Sequence, residues 1–161
     1  MEVVFSLALP RDEASVPVVR RLCRSSLENI GVMPDCISDI ELALTEACTN
    51  VLKHAFDSNE EYRVDIKLDD RKCSIAVIDE GRGFDHSNLA KGEEAAMGAE
   101  GGRGIQLMRA LVDNVNFTSE TEQGTMVHLV KGLELKEDSV LLRLGESEPR
   151  AAKGASIAAQ D

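Results

Sequence analysis

From Glu41 to Phe56 the chain runs ELALTEACTNVLKHAF, one apolar side set against one row of polar groups. Read as a helix together with the residues before it, it puts Ile37, Ile40, Leu44, Ala47, Cys48, Val51 and Ala55 on a single stripe able to face a core. Glu46, Asn50 and His54 follow one another at helical spacing, so they share one flank. A carboxylate, an amide and an imidazole in one row can position a hydroxyl or water, a hard cation and a phosphate. The plainer alternative is a solvated outer face, since Asp39 and Asp57 fall near the same line. The segments on either side decide between the two.

Upstream, Val3, Phe5, Leu7 and Leu9 alternate with Val4, Ser6 and Ala8, the pattern of a strand. Asp12 or Ser15 is placed to cap a first helix, with Pro17 in its first turn, a stripe of Val19, Leu22, Cys23, Leu27 and Ile30, and Gly31 as its stop. Pro34 and Asp35 then open the central helix, which runs to about Phe56. Downstream, Tyr62 to Leu68 and Cys73 to Asp79 read as a hairpin around Asp69, Asp70 and Arg71. Asp79 shares a face with Ile75 and Val77, and a carboxylate in an apolar row is costly without a hydrogen-bonding partner.

Between Gly81 and Gly104 the periodicity disappears, as in a functional lid or a disordered connection. Helical spacing returns from Arg103 to Val112, and Asn114 to Ser119 with Thr125 to Lys131 form a last hairpin. Ser139 to Leu144 is a candidate short element. The expected organisation is one domain over residues 1–135 and a small, polar, mostly disordered tail over 136–161.

Composition narrows the function classes. A chain of 161 residues with 43% hydrophobic and 29% charged residues suits a soluble domain burying about two-thirds of its unfolded surface. Aromatics are only 3%, so the core is aliphatic. No apolar run approaches the roughly 20 residues of a membrane span, and the Val3–Leu9 stretch ends at Pro10 and Arg11 instead of forming a signal peptide. The net charge of −11 without a basic cluster argues against direct nucleic-acid binding. Cys23, Cys36, Cys48 and Cys73 form no CxxC pair, which points to reduced thiols in a cytoplasmic protein and not to zinc or disulfides.

Three glycine-bearing motifs accompany the central helix: Asp79-Glu80-Gly81-Arg82-Gly83 after a strand, Gly101-Gly102-Arg103-Gly104 immediately before a helix, and Gly124-Thr125 opening a strand. Unpaired N–H groups at a helix start suit a phosphate chain. Each motif alone also serves plain turns, and no Walker A loop or dinucleotide fingerprint is present. In their order, ExxxN, DxGxG, GGxG and GT resemble the GHKL nucleotide-binding superfamily (gyrase, the heat-shock chaperone, histidine kinases, MutL). Within it, the chain is most similar to the small serine-protein-kinase anti-sigma factors. The resemblance covers Glu41 to about Val130, and the first strand and helix also fit.

That resemblance implies an α/β (α+β) two-layer sandwich, the Bergerat fold, with a mixed, mainly antiparallel sheet covered on one face by helices. It implies ATP and Mg²⁺ as cofactors. Glu46 is then the catalytic carboxylate that orients or deprotonates the attacking hydroxyl, and Asn50 the magnesium ligand. His54 lies near the phosphates or is simply a favourable imidazole in a helix's last turn. Asp79 accepts a hydrogen bond from the adenine amino group, Gly81 and Gly83 admit the base, Gly102 and Gly104 cradle phosphates, and Thr125 supports Asp79 or an adenine-bound water. Arg103 meets the γ-phosphate or stays solvated. The implied activity is ATP-dependent phosphorylation of a serine or threonine on an anti-anti-sigma (STAS-domain) protein, with sequestration of a sigma factor by a cytoplasmic homodimer. The alternative is an ATP-binding module that gates partner docking without a kinase step.

Overall fold

The alternating residues at the start of the chain find their partners after the central helix. In the computed structural model, β1 (Val3–Pro10) runs antiparallel to β2 (Glu61–Leu68), with Leu9 opposite Tyr62 and Leu7 opposite Val64. The structure describes residues 2–54, 61–79, 98–120 and 124–146. β2 turns into β3 (Lys72–Asp79) at Asp69, whose Oδ1 accepts hydrogen bonds from the amides of Arg71 and Lys72, each at 2.8 Å. Burial works to raise the Asp69 carboxyl, but these amides and the charges of Lys72 and Arg71 outweigh it and hold it below its ordinary value. β4 (Asn114–Glu120) and β5 (Gly124–Gly132) complete a five-stranded sheet in the order β1-β2-β3-β5-β4. Apolar β5 takes the inner position and Asn-bearing β4 the edge, where polar side chains reach water. All four pairings are antiparallel, so the described strands carry no parallel component of the mixed sheet expected.

One face of the sheet is closed by helices. α1 (Ser15–Ile30) and α2 (Pro34–His54) follow β1, and α3 (Gly98–Leu111) precedes β4. Val64, Ile66, Ile75, Val77, Val127 and Leu129 from the strands meet Ile40, Ala43, Leu44, Ala47, Cys48 and Val51 of α2 in one buried cluster. Burying a side chain of this size stabilises by about 1.5–3 kcal/mol, and alternation along each strand sends every second residue to this layer. Among the described residues, Tyr62 is the one aromatic ring fully buried there.

Two details of α1 differ from the sequence reading. Leu22 is 45% exposed, because the buried stripe is the narrower set Val16, Val19, Cys23 and Leu27. Ala14, not Asp12 or Ser15, holds the N-cap position; Asp12 instead accepts the Ala14 amide at 2.8 Å, one turn earlier. Gly31 ends α1 at φ 93°, a left-handed conformation in which its N–H bonds the carbonyls of Leu27 and Glu28. The chain then closes against this corner: Ser139 Oγ donates to Ile30 O at 2.8 Å and precedes α4 (Val140–Glu146), whose Leu141 is buried.

Candidate functional site

The phase of α2 that buries Leu44, Ala47, Cys48 and Val51 turns Glu46 and Asn50 sideways, toward α3. Gly104 faces them there. A methyl group at Gly104 would stand 3.0 Å from Glu46 Oε2 and 3.6 Å from both terminal atoms of Asn50, so this close packing depends on a residue without a side chain. Glu46 is half-buried and Asn50 is 5% exposed. Asn50 Nδ2 is sealed from solvent with no hydrogen-bond partner among the described residues. A buried polar atom left unsatisfied costs about 1–3 kcal/mol, and folded proteins keep few of them. A 180° turn of the amide exchanges its nitrogen and oxygen without changing its shape, so Asn50 can offer a cation an oxygen or an anion an N–H.

The sheet supplies the second part. Asp79 ends β3 directly opposite Thr125 on β5, and the two are 1% and 5% exposed. The ladder that sets Arg63 opposite Ile78 brings Tyr62 beside Asp79 on the same face. The Tyr62 hydroxyl lies 2.7 Å from Ser15 Oγ at the start of α1 and beside the Cys48 thiol of α2. Packing of Cys48 with Tyr62 in the buried cluster sets the turn of α2 that carries Glu46 and Asn50 above the Asp79 end of the sheet. Burial pushes Cys48 up to about 12 and Tyr62 up to about 12, so both are neutral at physiological pH and act as packing and hydrogen-bonding groups, not nucleophiles.

A residue that the sequence reading missed completes this corner. Arg11, just past β1, places Nη2 3.4 Å from Asp79 Oδ2, with side-chain exposures of 13% and 2%. The demand for such a partner was legible in the apolar row that ends at Asp79. Its source was not, because Pro10-Arg11-Asp12 has the appearance of an ordinary surface turn.

The structure thus joins Glu46, Asn50 and Gly104 in one group and Asp79 and Thr125 in another. Arg103 is exposed on α3. Gly102 and His54 belong to α3 and α2, but their side-chain surroundings lie outside the described residues, as do Gly81 and Gly83 entirely. One expectation is corrected: α3 begins at Gly98, so Gly101-Gly102-Arg103-Gly104 lies within its first turns and not ahead of it. Packing of α3 on α2 outweighs the roughly 1 kcal/mol that each glycine costs a helix. Among the described residues, no three His, Cys, Asp or Glu side chains converge on a metal position. The residues present do fit a magnesium nucleotide: an orphaned amide, a carboxylate beside it on the same flank of α2, and a buried acceptor at the end of the central strand.

Comparison with known proteins gives a consistent result. The model of the histidine kinase-like ATPase domain matches residues 9–131. Serine-protein kinase RsbW of Halalkalibacterium halodurans is 29% identical over 140 residues, covering 83% of this chain and 85% of that one. Serine-protein kinase RsbW of Bacillus subtilis is 27% identical over 138 residues, covering 80% and 85%. Among solved structures, the RsbU and RsbW domains of Rv1364c from Mycobacterium tuberculosis superpose with a TM-score of 0.62 at 20% identity. The match covers 81% of this chain but only 32% of that longer one, and it speaks for the fold alone. No helix among the described residues is long and apolar enough to cross a membrane.

Proposed function

The chain belongs to the histidine kinase-like ATPase domain family, and from that premise we propose that it is an ATP-dependent serine/threonine-protein kinase that acts as an anti-sigma factor. Its protein substrate is an anti-anti-sigma protein of the STAS type, and its second partner is a sigma factor that it sequesters. The observation that carries this reading is the set of Glu46, Asn50 and side-chain-free Gly104 on facing helices, with the Asn50 amide buried and unsatisfied. The name serine-protein kinase borne by the relatives supports the reaction class.

Each residue has a definite task. Glu46 accepts the proton of the partner's hydroxyl as its oxygen bonds to the γ-phosphorus and ADP departs. Asn50 offers its amide oxygen to Mg²⁺, which prefers oxygen ligands. Asp79 accepts from the adenine amino group and Thr125 supports it from the neighbouring strand. Gly81 and Gly83 let the backbone approach the base, Gly102 and Gly104 the phosphates, while His54 and Arg103 stand at the phosphate end. Bound magnesium supplies charge neutralisation, and the protein supplies position.

Phosphorylation adds about −1.5 to −2 charges to the substrate, which weakens its docking on a chain of net charge −11 and frees the kinase for its sigma factor. The same acidity argues against direct nucleic-acid contact. We place the nucleotide-binding unit within residues 1–135 and take the working form to be a cytoplasmic homodimer.

The test is transfer of label from γ-labelled ATP to the candidate anti-anti-sigma protein. Wild type should label it on serine or threonine. Glu46→Ala should lower the rate by about 10²–10⁴-fold with ATP affinity unchanged. A partner that stays unlabelled while ATP binds would leave a nucleotide-gated docking module in place of a kinase.

A further inference from the structure

We infer that Arg11 is a base-reading residue: its guanidinium donates to a ring nitrogen that flanks the adenine amino group, beside Asp79, which accepts from the amino group itself. The inference rests on the ATP reading above and adds to it a second, directional contact.

Three observations carry it. Arg11 and Asp79 are paired at 3.4 Å, and both side chains are largely withdrawn from water. The turn bearing Arg11 is held in place, since Asp12 accepts the Ala14 amide at 2.8 Å and the Ser15 hydroxyl at 2.6 Å, while Ser15 is tied to Tyr62 beside Asp79. The guanidinium is therefore positioned before any ligand arrives, which lowers the ordering cost of binding.

The chemistry is complementary. A guanidinium carries five N–H donors in a rigid plane, so contact with one carboxylate does not exhaust it. The pair sets a donor next to an acceptor. Adenine sets the amino donor between two acceptor nitrogens, N1 and N7, whereas guanine has a carbonyl oxygen where the amino group stands. A guanidinium that served only as the countercharge of a buried carboxylate would support every purine ligand alike.

The experiment is a binding cycle by calorimetry, with ATP, 1-deaza-ATP and 7-deaza-ATP against wild type and Arg11→Ala, thermal melting confirming that the variant is folded. Wild type should bind ATP about tenfold or more tightly than one of the two analogues, the span of a charge-assisted hydrogen bond. Arg11→Ala should lose affinity for ATP yet keep its affinity for that analogue, so that the preference vanishes. If Arg11→Ala does not fold, Arg11→Lys keeps the countercharge without the planar fork, and its preference should fall in the same way. Equal weakening of all three ligands would overturn the inference and leave Arg11 a structural ion pair. Wild-type protein that binds ATP and both analogues equally would also overturn it, leaving the ATP reading intact. Failure of wild type to bind ATP at all would sink both.

Discussion

The two ends of the sandwich treat polar groups in opposite ways. At the end formed by the last turn of α1, the start of α2 and the close of β5, polar atoms find partners within the chain. Ser139 Oγ bonds Ile30 O, the Met33 amide bonds Glu134 O at 2.7 Å, Lys131 Nζ bonds Leu111 O at 2.7 Å, and Asp113 Oδ2 takes the Gly132 amide at 2.5 Å. At the far end, Asn50 Nδ2 is buried without a described partner and Glu46 faces a glycine. Polar groups at the first end are matched within the chain, whereas at the second the Asn50 amide is buried unmatched beside chain-internal pairs such as Arg11–Asp79 and Ser15–Tyr62.

The largest effect that would sharpen the contrast belongs to the closed end. Gly31 sits at φ 93°, and a Cβ there would meet Ser139 Cα at 2.9 Å. Gly31→Val should therefore destabilise by roughly 3 kcal/mol, the left-handed penalty plus overpacking, read in urea unfolding. Nucleotide affinity of the folded fraction should not change; a drop there would join two ends that we describe as separate.

A paired measurement of about 1–2 kcal/mol comes next. Ser139→Ala removes both the bond to Ile30 O and the acceptor for the Leu141 amide at 3.3 Å, so it should cost that amount. Asn50→Leu should be neutral or slightly stabilising without ligand, because it deletes an unsatisfied buried group. The same variant should lose the gain that magnesium–ATP gives wild type, about 2.7 kcal/mol at 100 times its dissociation constant. If Asn50→Leu unfolds like a core deletion, the amide is structural and the contrast fails.

The smallest effect concerns the core between the two ends. Burial pushes Cys23 and Cys48 up to about 12 and Cys73 further still. Their folded values lie above the unfolded thiol value of about 8.5. The stability they contribute is thus complete below that pH and is lost as pH rises toward 12. From pH 7 to 8.5 the unfolding free energy should fall by roughly 1 kcal/mol. A flat profile in denaturant titrations at the two pH values would show that the thiols ionise freely in the folded protein.

Much of this architecture was readable from periodicity. Strands, hairpins and the phase of α2 follow from apolar spacing, and that phase alone puts Glu46 and Asn50 on one flank. Three features were not readable. The glycines ahead of Ile105 suggest loop, because intrinsic propensity opposes a helix there, yet contact with α2 makes Gly98–Leu111 helical. Arg11 reaches Asp79 across the width of β2, a contact between distant parts of the chain that no local pattern encodes. Leu22 fits the helical stripe of α1 but falls at its margin, where a small rotation of the helix leaves it in water.

The buried phenol of Tyr62 has a practical consequence. The chain has one tyrosine and no tryptophan, so its ultraviolet fluorescence comes essentially from a single ring, held between Ser15 and Cys48 and adjacent to Asp79. A purine settling against that strand end would change the surroundings of this ring. Under the nucleotide reading proposed above, that ring would act as a built-in optical gauge of occupancy, read with no dye attached.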